Sequence, residues 1–106
     1  MELAVDVYKV SGKLPDEEKY NLSQQIRKCS ISIPSNIAEG AGRNSDKEFN
    51  HFLGIAKGSS FELQTQLTLI TRLDLLPSEE IGKVNDQVEE IGKMISGFQN
   101  HLTSII

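Results

Sequence analysis

The sequence has 106 residues, which suits one domain spanning 1–106 and is too short for two. A formal net charge of −4 at pH 7 argues against a broad, charge-driven grip on nucleic acid or anionic membrane, and a single cysteine, Cys29, excludes an internal disulfide framework. The start does not look like a signal peptide, no apolar run approaches the roughly 18 residues of a spanning helix, and the cysteine usage points to a reduced, cytoplasmic protein.

Leu3, Val7, Val10 and Leu14 recur at spacings of four, three and four. They predict a short amphipathic helix over about 2–13, stopped by Gly12 and Pro15. Asp16-Glu17-Glu18 then places negative charge where a helix start favours it. Leu22, Ile26, Cys29, Ile33, Ile37 and Ala41 share one face, and their phase survives Pro34. That predicts one helix over about 17–42, kinked at Pro34, with a break and a new helix at Pro34 as the alternative. Gly42 is expected to end it in the left-handed conformation.

Ser45-Asp46-Lys47-Glu48 reads as a capping box opening a third helix over about 46–75. Its stripe is Phe49, Phe52, Leu53, Ala56, Ser60, Leu63, Leu67 and Ile70. A turn follows, with Ser78 expected as the next N-cap. Ile81, Val84, Val88, Ile91, Ile95, Phe98, Leu102 and Ile105 then alternate spacings of three and four, a heptad seam.

Four amphipathic helices joined by short turns imply an all-α, antiparallel up-down-up-down four-helix bundle. The first helix reaches only about 18 Å, against roughly 39–45 Å for the other three. Part of the bundle therefore lacks a fourth helix. Ile55, Leu69 and Leu73 also turn away from the third helix's stripe, and Ile31 and Ala38 lie off that of the second. This spare apolar surface suggests a homo-oligomer interface; the alternative is that it closes over the same small core.

Chemistry is sparse. Glu48-x-x-His51 has di-iron spacing, but a single copy on a capping residue does not make a site, and His101 has no evident partner. Gly40-Ala41-Gly42 lacks the strand and lysine of a phosphate loop, and helix termination accounts for both glycines. Cys29 on the apolar stripe reads as inert core. No catalytic residue, metal or cofactor is expected. Glu39 is read as a polar tie to Arg27, Asn36 or Arg43, with plain exposure or a catalytic acid as alternatives. Together with Pro34, Ser35 and Asn36 it forms a candidate helix or subunit contact. Arg27, Lys28, Arg43 and Lys47 are the densest basic group, a solvated face or an RNA contact.

The run Gln25-x-Arg27, Ser32-Ile33-Pro34-Ser35-Asn36-Ile37-Ala38-Glu39-Gly40, Arg43, Glu48-Phe49-x-x-Phe52-Leu53-x-Ile55-Ala56-x-Gly58-Ser59 and Glu62-Leu63-x-x-Gln66-Leu67 resembles the bacterial 23S rRNA intervening-sequence proteins. The resemblance implies a four-helix bundle assembled as a homopentamer, without enzymatic activity. It also implies similarity to the accessory protein of diversity-generating retroelements, which binds reverse transcriptase and RNA. The expected function is thus an oligomeric assembly or adaptor module, with an RNA-binding ring of repeated basic patches as the alternative.

Overall fold

The amphipathic stripes become four helices, α1 (Glu2–Ser11), α2 (Leu22–Ala41), α3 (Asp46–Arg72) and α4 (Ser78–Ile105), with a 3-10 turn at Asp16–Glu18. The computed structural model describes residues 2–18 and 20–105 of the chain; Met1, Lys19, Ile106 and the side chain of Ile105 lie outside that description. Consecutive helices pack against one another, and α1 closes the ring on α4. The result is an elongated bundle of 46 × 21 × 18 Å.

Every residue of the α1 stripe is buried: Leu3, Val7, Val10 and Leu14. They meet Leu22, Ile26 and Ile33 of α2, Leu63, Leu67 and Ile70 of α3, and Ile81, Val84 and Val88 of α4 in one core. Asp6 Oδ2 accepts a 2.9 Å hydrogen bond from Gln87, and Lys13 pairs with Glu80 at 3.2 Å. These two polar ties hold α1 to α4 across the rim.

Helix α2 is continuous through Pro34, as its unbroken apolar phase requires. Pro34 offers no N–H to the Ser30 carbonyl. Two residues on, Asn36 folds back and donates from Nδ2 to Ser32 O (2.8 Å) and Ser32 Oγ (3.0 Å). Ser32 Oγ also meets Ser59 Oγ of α3 at 2.8 Å, so the proline turn is tied directly to its neighbour.

Several boundaries differ from the sequence reading. The acidic triplet forms its own 3-10 turn rather than the first turn of α2, which starts at Leu22. At 20 residues, α2 spans only about 30 Å. Gly42 is not left-handed (φ −80°, ψ −3°); its N–H simply extends the helical pattern to the Ala38 carbonyl. Half of the expected capping box forms: Ser45 Oγ accepts from the Glu48 N–H at 3.1 Å. Ser78 is the first residue of α4 rather than its cap, because the Pro77 carbonyl takes the Glu80 N–H.

The left-handed residue is Asp74 (φ 55°). Leu75 N–H bonds to Ile70 O and Asp74 N–H to Thr71 O, both at 3.1 Å, which closes α3 in a Schellman motif. Leu75 packs on the core, completing the motif's apolar contact. A side chain in this conformation costs about 1 kcal/mol that glycine avoids. Asp74→Gly is therefore expected to raise stability by about 0.5–1 kcal/mol in urea unfolding.

Stripe residues that are not fully buried fall largely at one end. Ile37, Phe49 and Ile91 are half-buried, Ala41 is exposed, and Phe98 is 48% exposed, in contrast to its expected place in the seam. Most sit toward the end of the bundle marked by Leu3 and Ala4 of α1, beyond which, among the described residues, no fourth helix lies beside α2, α3 and α4.

Candidate interaction surface

The small and polar residues of α2 sort into two groups. Ser32, Asn36 and buried Gly40 face α3 and serve the fold. Gly40 lies at a close approach of α2 to α3. A Cβ built there would lie 2.7 Å from Phe52 Cβ and 2.9 Å from the Phe49 ring. Helix termination, the sequence reading of this glycine, is therefore corrected: Gly40 lies inside α2 and permits a close approach.

Ile31, Ser35 and Ala38 are exposed and, at spacings of four and three, share the outer face of α2. On α3, Ile55, Glu62, Leu69 and Leu73 share an outer face by the same rule. The Ser32–Ser59 bond sets the two faces side by side, so they form one stripe. Ile31 is 43% exposed, Ile55 41%, Leu69 45% and Leu73 57%. They do not close over the core. Pro34 is half-buried on the other side of α2, against the groove beyond α1, and so is not part of this stripe.

Glu39 and Arg43 pair at 2.8 Å on the exposed end of α2, and Arg43 lies 5.0 Å over the Phe52 ring. In one protomer Glu39 thus serves its own helix end, and the link to α3 runs through Arg43. Arg27 lies at the opposite end of α2. Its Nε donates to Ser11 Oγ at 2.6 Å, and its guanidinium covers the Tyr8 ring at 5.2 Å. The last turn of α1 presents carbonyl oxygens there, which favours a cation. Arg27 and Arg43 are therefore more than about 20 Å apart along the helix. Lys28 is exposed on the outer face near Ile31, and exposed Lys47 is in the first turn of α3. The fold distributes these four cations instead of gathering them. Arg27→Ala removes the clamp between α1 and α2 and should lower stability by about 1–2 kcal/mol, read by thermal unfolding.

Cys29 is buried and its thiol donates to Glu62 Oε2 at 3.5 Å. Burial raises its pKa above the ordinary thiol range; Gln66 and Lys28 oppose this and Glu62 adds to it. The thiol form dominates at neutral pH, which suits packing better than nucleophilic attack. His51 and His101 are exposed and lie edge-on to Phe52 and Phe98. Among the described residues no group of three or more His, Cys, Asp or Glu side chains could hold a metal ion. No helix among them is long and apolar enough to cross a membrane.

An open, largely apolar groove of about 330 Å³ lies at the N-terminal end of α1, where Leu3 and Ala4 line it. Ile33 and Ile37 of α2, Leu53 of α3, and Ile95 and Phe98 of α4 line it. Phe49 and Phe98 meet across its mouth with ring centroids 5.4 Å apart. Sequence reasoning anticipated a missing length of fourth helix but did not identify a groove.

The family model described as 23S rRNA-intervening sequence protein matches residues 1–97. Among solved structures, the chain is similar to a protein with unknown function from the S23 ribosomal protein family of Bacteroides thetaiotaomicron VPI-5482. The TM-score is 0.86 at 28% identity, covering 92% of each chain. A comparison with curated proteins finds no match.

Proposed function

Because the chain belongs to the 23S rRNA-intervening sequence protein family, we propose that it is a non-enzymatic, cytoplasmic assembly module, a homo-oligomer of five chains that presents repeated helical surfaces to a partner. The observation that carries this reading is the outer stripe of α2 and α3, whose Ile31, Ile55, Leu69 and Leu73 remain 41–57% exposed in one protomer. Scattered surface leucines need no explanation, but a line of them along two packed helices is what a subunit contact buries. Lys28 and Glu62 at the same stripe supply charges that can fix register between copies. A ring of five would multiply one weak contact into useful avidity.

A binding role also fits the groove better than chemistry does. Among the described residues, the one polar side chain lining it, Ser30, already donates to the Arg27 carbonyl at 2.8 Å. Light scattering on the purified chain at micromolar concentration should report the mass of five chains. The double variant Ile31→Glu/Ile55→Glu should report one, with the helical circular dichroism unchanged, because both positions are open to solvent in the protomer. A monomeric wild-type chain would sink the assembly reading.

A further inference from the structure

We propose that the small pocket between the end of α1 and the start of α2 binds an α-amino acid, its carboxylate on Arg27 and its ammonium on Asp16. The pocket has a volume of about 220 Å³, and Ser11, Gly12, Pro15, Asp16, Ser23 and Arg27 line it. It lies on the α1 side of α2, so its occupancy does not depend on the oligomer, whose stripe is on the outer face of α2 and α3.

Arg27 is held ready for a ligand. Its Nε donates to Ser11 Oγ at 2.6 Å, and its guanidinium lies 5.2 Å from the centre of the Tyr8 ring. Ser11 is itself buried and fixed: its hydroxyl donates to the Tyr8 carbonyl at 2.8 Å, and its carbonyl accepts from Ser23 Oγ at 3.3 Å. One nitrogen and one face therefore orient the guanidinium. Its two Nη groups have no hydrogen-bond partner among the described residues. Clamping α1 to α2 uses only Nε and the ring contact. The Nη pair remains as a planar fork that matches the two oxygens of a carboxylate. A fork oriented in advance also loses less freedom when a ligand arrives.

The opposite charge stands in the same pocket. Asp16 is exposed, and among the described residues its carboxylate has no ion pair or hydrogen bond, with Arg27 or any other group. Asp16, Glu17 and Glu18 follow one another in the 3-10 turn, and this acidic rim disfavours a phosphate dianion or a nucleic-acid backbone. The C-terminal end of α1, the negative pole of its dipole, borders the pocket at Ser11 and Gly12 and favours a positive group there. A zwitterion answers both demands and leaves the pocket neutral. Size selects a short one. A cavity of this volume is about 7 Å across, which two charge-assisted hydrogen bonds of about 2.8 Å and the short span from carboxylate to ammonium of an α-amino acid fill.

The test titrates the full chain with L-alanine and follows amide resonances by NMR. The Gly12 and Asp16 amides should shift saturably, with a Kd of about 1–10 mM. Propionate, which lacks the ammonium, and ethylamine, which lacks the carboxylate, should each bind at least about fivefold more weakly. Arg27→Lys keeps the charge but removes the fork and should weaken L-alanine at least about fivefold. Asp16→Asn should do the same with the unfolding midpoint unchanged, because Asp16 is exposed and unpaired, which covers an Arg27 variant that misfolds. It should leave propionate binding no weaker. No saturable shift up to about 50 mM L-alanine, or insensitivity to both variants, overturns the proposal. Propionate or inorganic phosphate binding as tightly as L-alanine overturns it in favour of a general anion site on Arg27.

Discussion

Gly40→Ala is expected to destabilise the bundle by about 2 kcal/mol, although alanine is the better helix former by about 1 kcal/mol. The added Cβ would stand 2.7 Å from Phe52 Cβ, 2.9 Å from Phe49 Cδ1 and 3.3 Å from the Phe49 carbonyl oxygen. Two of these neighbours cannot step aside. A Cβ is carried by every residue except glycine, so trimming Phe52 gives no relief, and the Phe49 carbonyl belongs to the α3 backbone. The helices must separate instead, which strains the 2.8 Å Ser32–Ser59 bond about two turns away. Gly58 is the control. A Cβ there meets nothing within 4 Å, so Gly58→Ala should stabilise by about 0.5–1 kcal/mol. The same chemical change on two packed helices should thus have opposite signs. Urea unfolding followed by circular dichroism reads both, and a Gly40→Ala midpoint at or above the wild-type value would refute the close-packing account. Gly40→Val, with two more methyl groups to place, should lose more than about 3 kcal/mol.

This pair shows where sequence reasoning stops. Both glycines lie in helical patterns, and neither composition nor periodicity separates them. The difference is made by Phe49 and Phe52, which reach Gly40 only after α2 and α3 have paired. The same holds at the helix ends. Gly42 looks like a left-handed terminator and has φ −80°, whereas Asp74, with no glycine signal, takes φ 55° because Leu75 can then pack on the core. Periodicity, by contrast, was reliable wherever the partner helices were present. It placed Leu3, Val7, Ile26, Ile33, Leu63, Leu67, Val84 and Val88 in one core and carried α2 through Pro34. It over-assigned burial to Phe98 and Ala41 because a sequence stripe carries no information about where a neighbouring helix ends. For the candidate surface, the off-stripe positions Ile31, Ile55, Leu69 and Leu73 were legible as apolar residues out of phase, and they are exposed. The basic group was legible only as a cluster along the chain. The length of α2 pulls Arg27 and Arg43 apart, and each is engaged by a different neighbour.

Leu67→Ala and Leu69→Ala should separate the core from the proposed subunit contact. Leu67 is fully buried, between Leu63 and Ile70 on the stripe of α3. Removing its three outer carbons loses their transfer free energy and leaves a cavity in a close-packed site. The expected cost is about 3 kcal/mol, within the 2–5 kcal/mol range of such substitutions. Against a total stability of order 5–15 kcal/mol, that leaves a markedly weaker fold at any concentration. Leu69, two residues on, is 45% exposed. In a dilute protomer its truncation should change stability by no more than about 0.5 kcal/mol. If copies bury it against one another, assembly stabilises the folded chain by mass action, and Leu69→Ala removes part of that gain. Its Tm should therefore match wild type at low chain concentration and fall below it as concentration rises. The Leu67→Ala deficit should instead be present even at the lowest concentration. A Leu69→Ala deficit independent of concentration would place that side chain in the fold of the protomer and remove it from the interface.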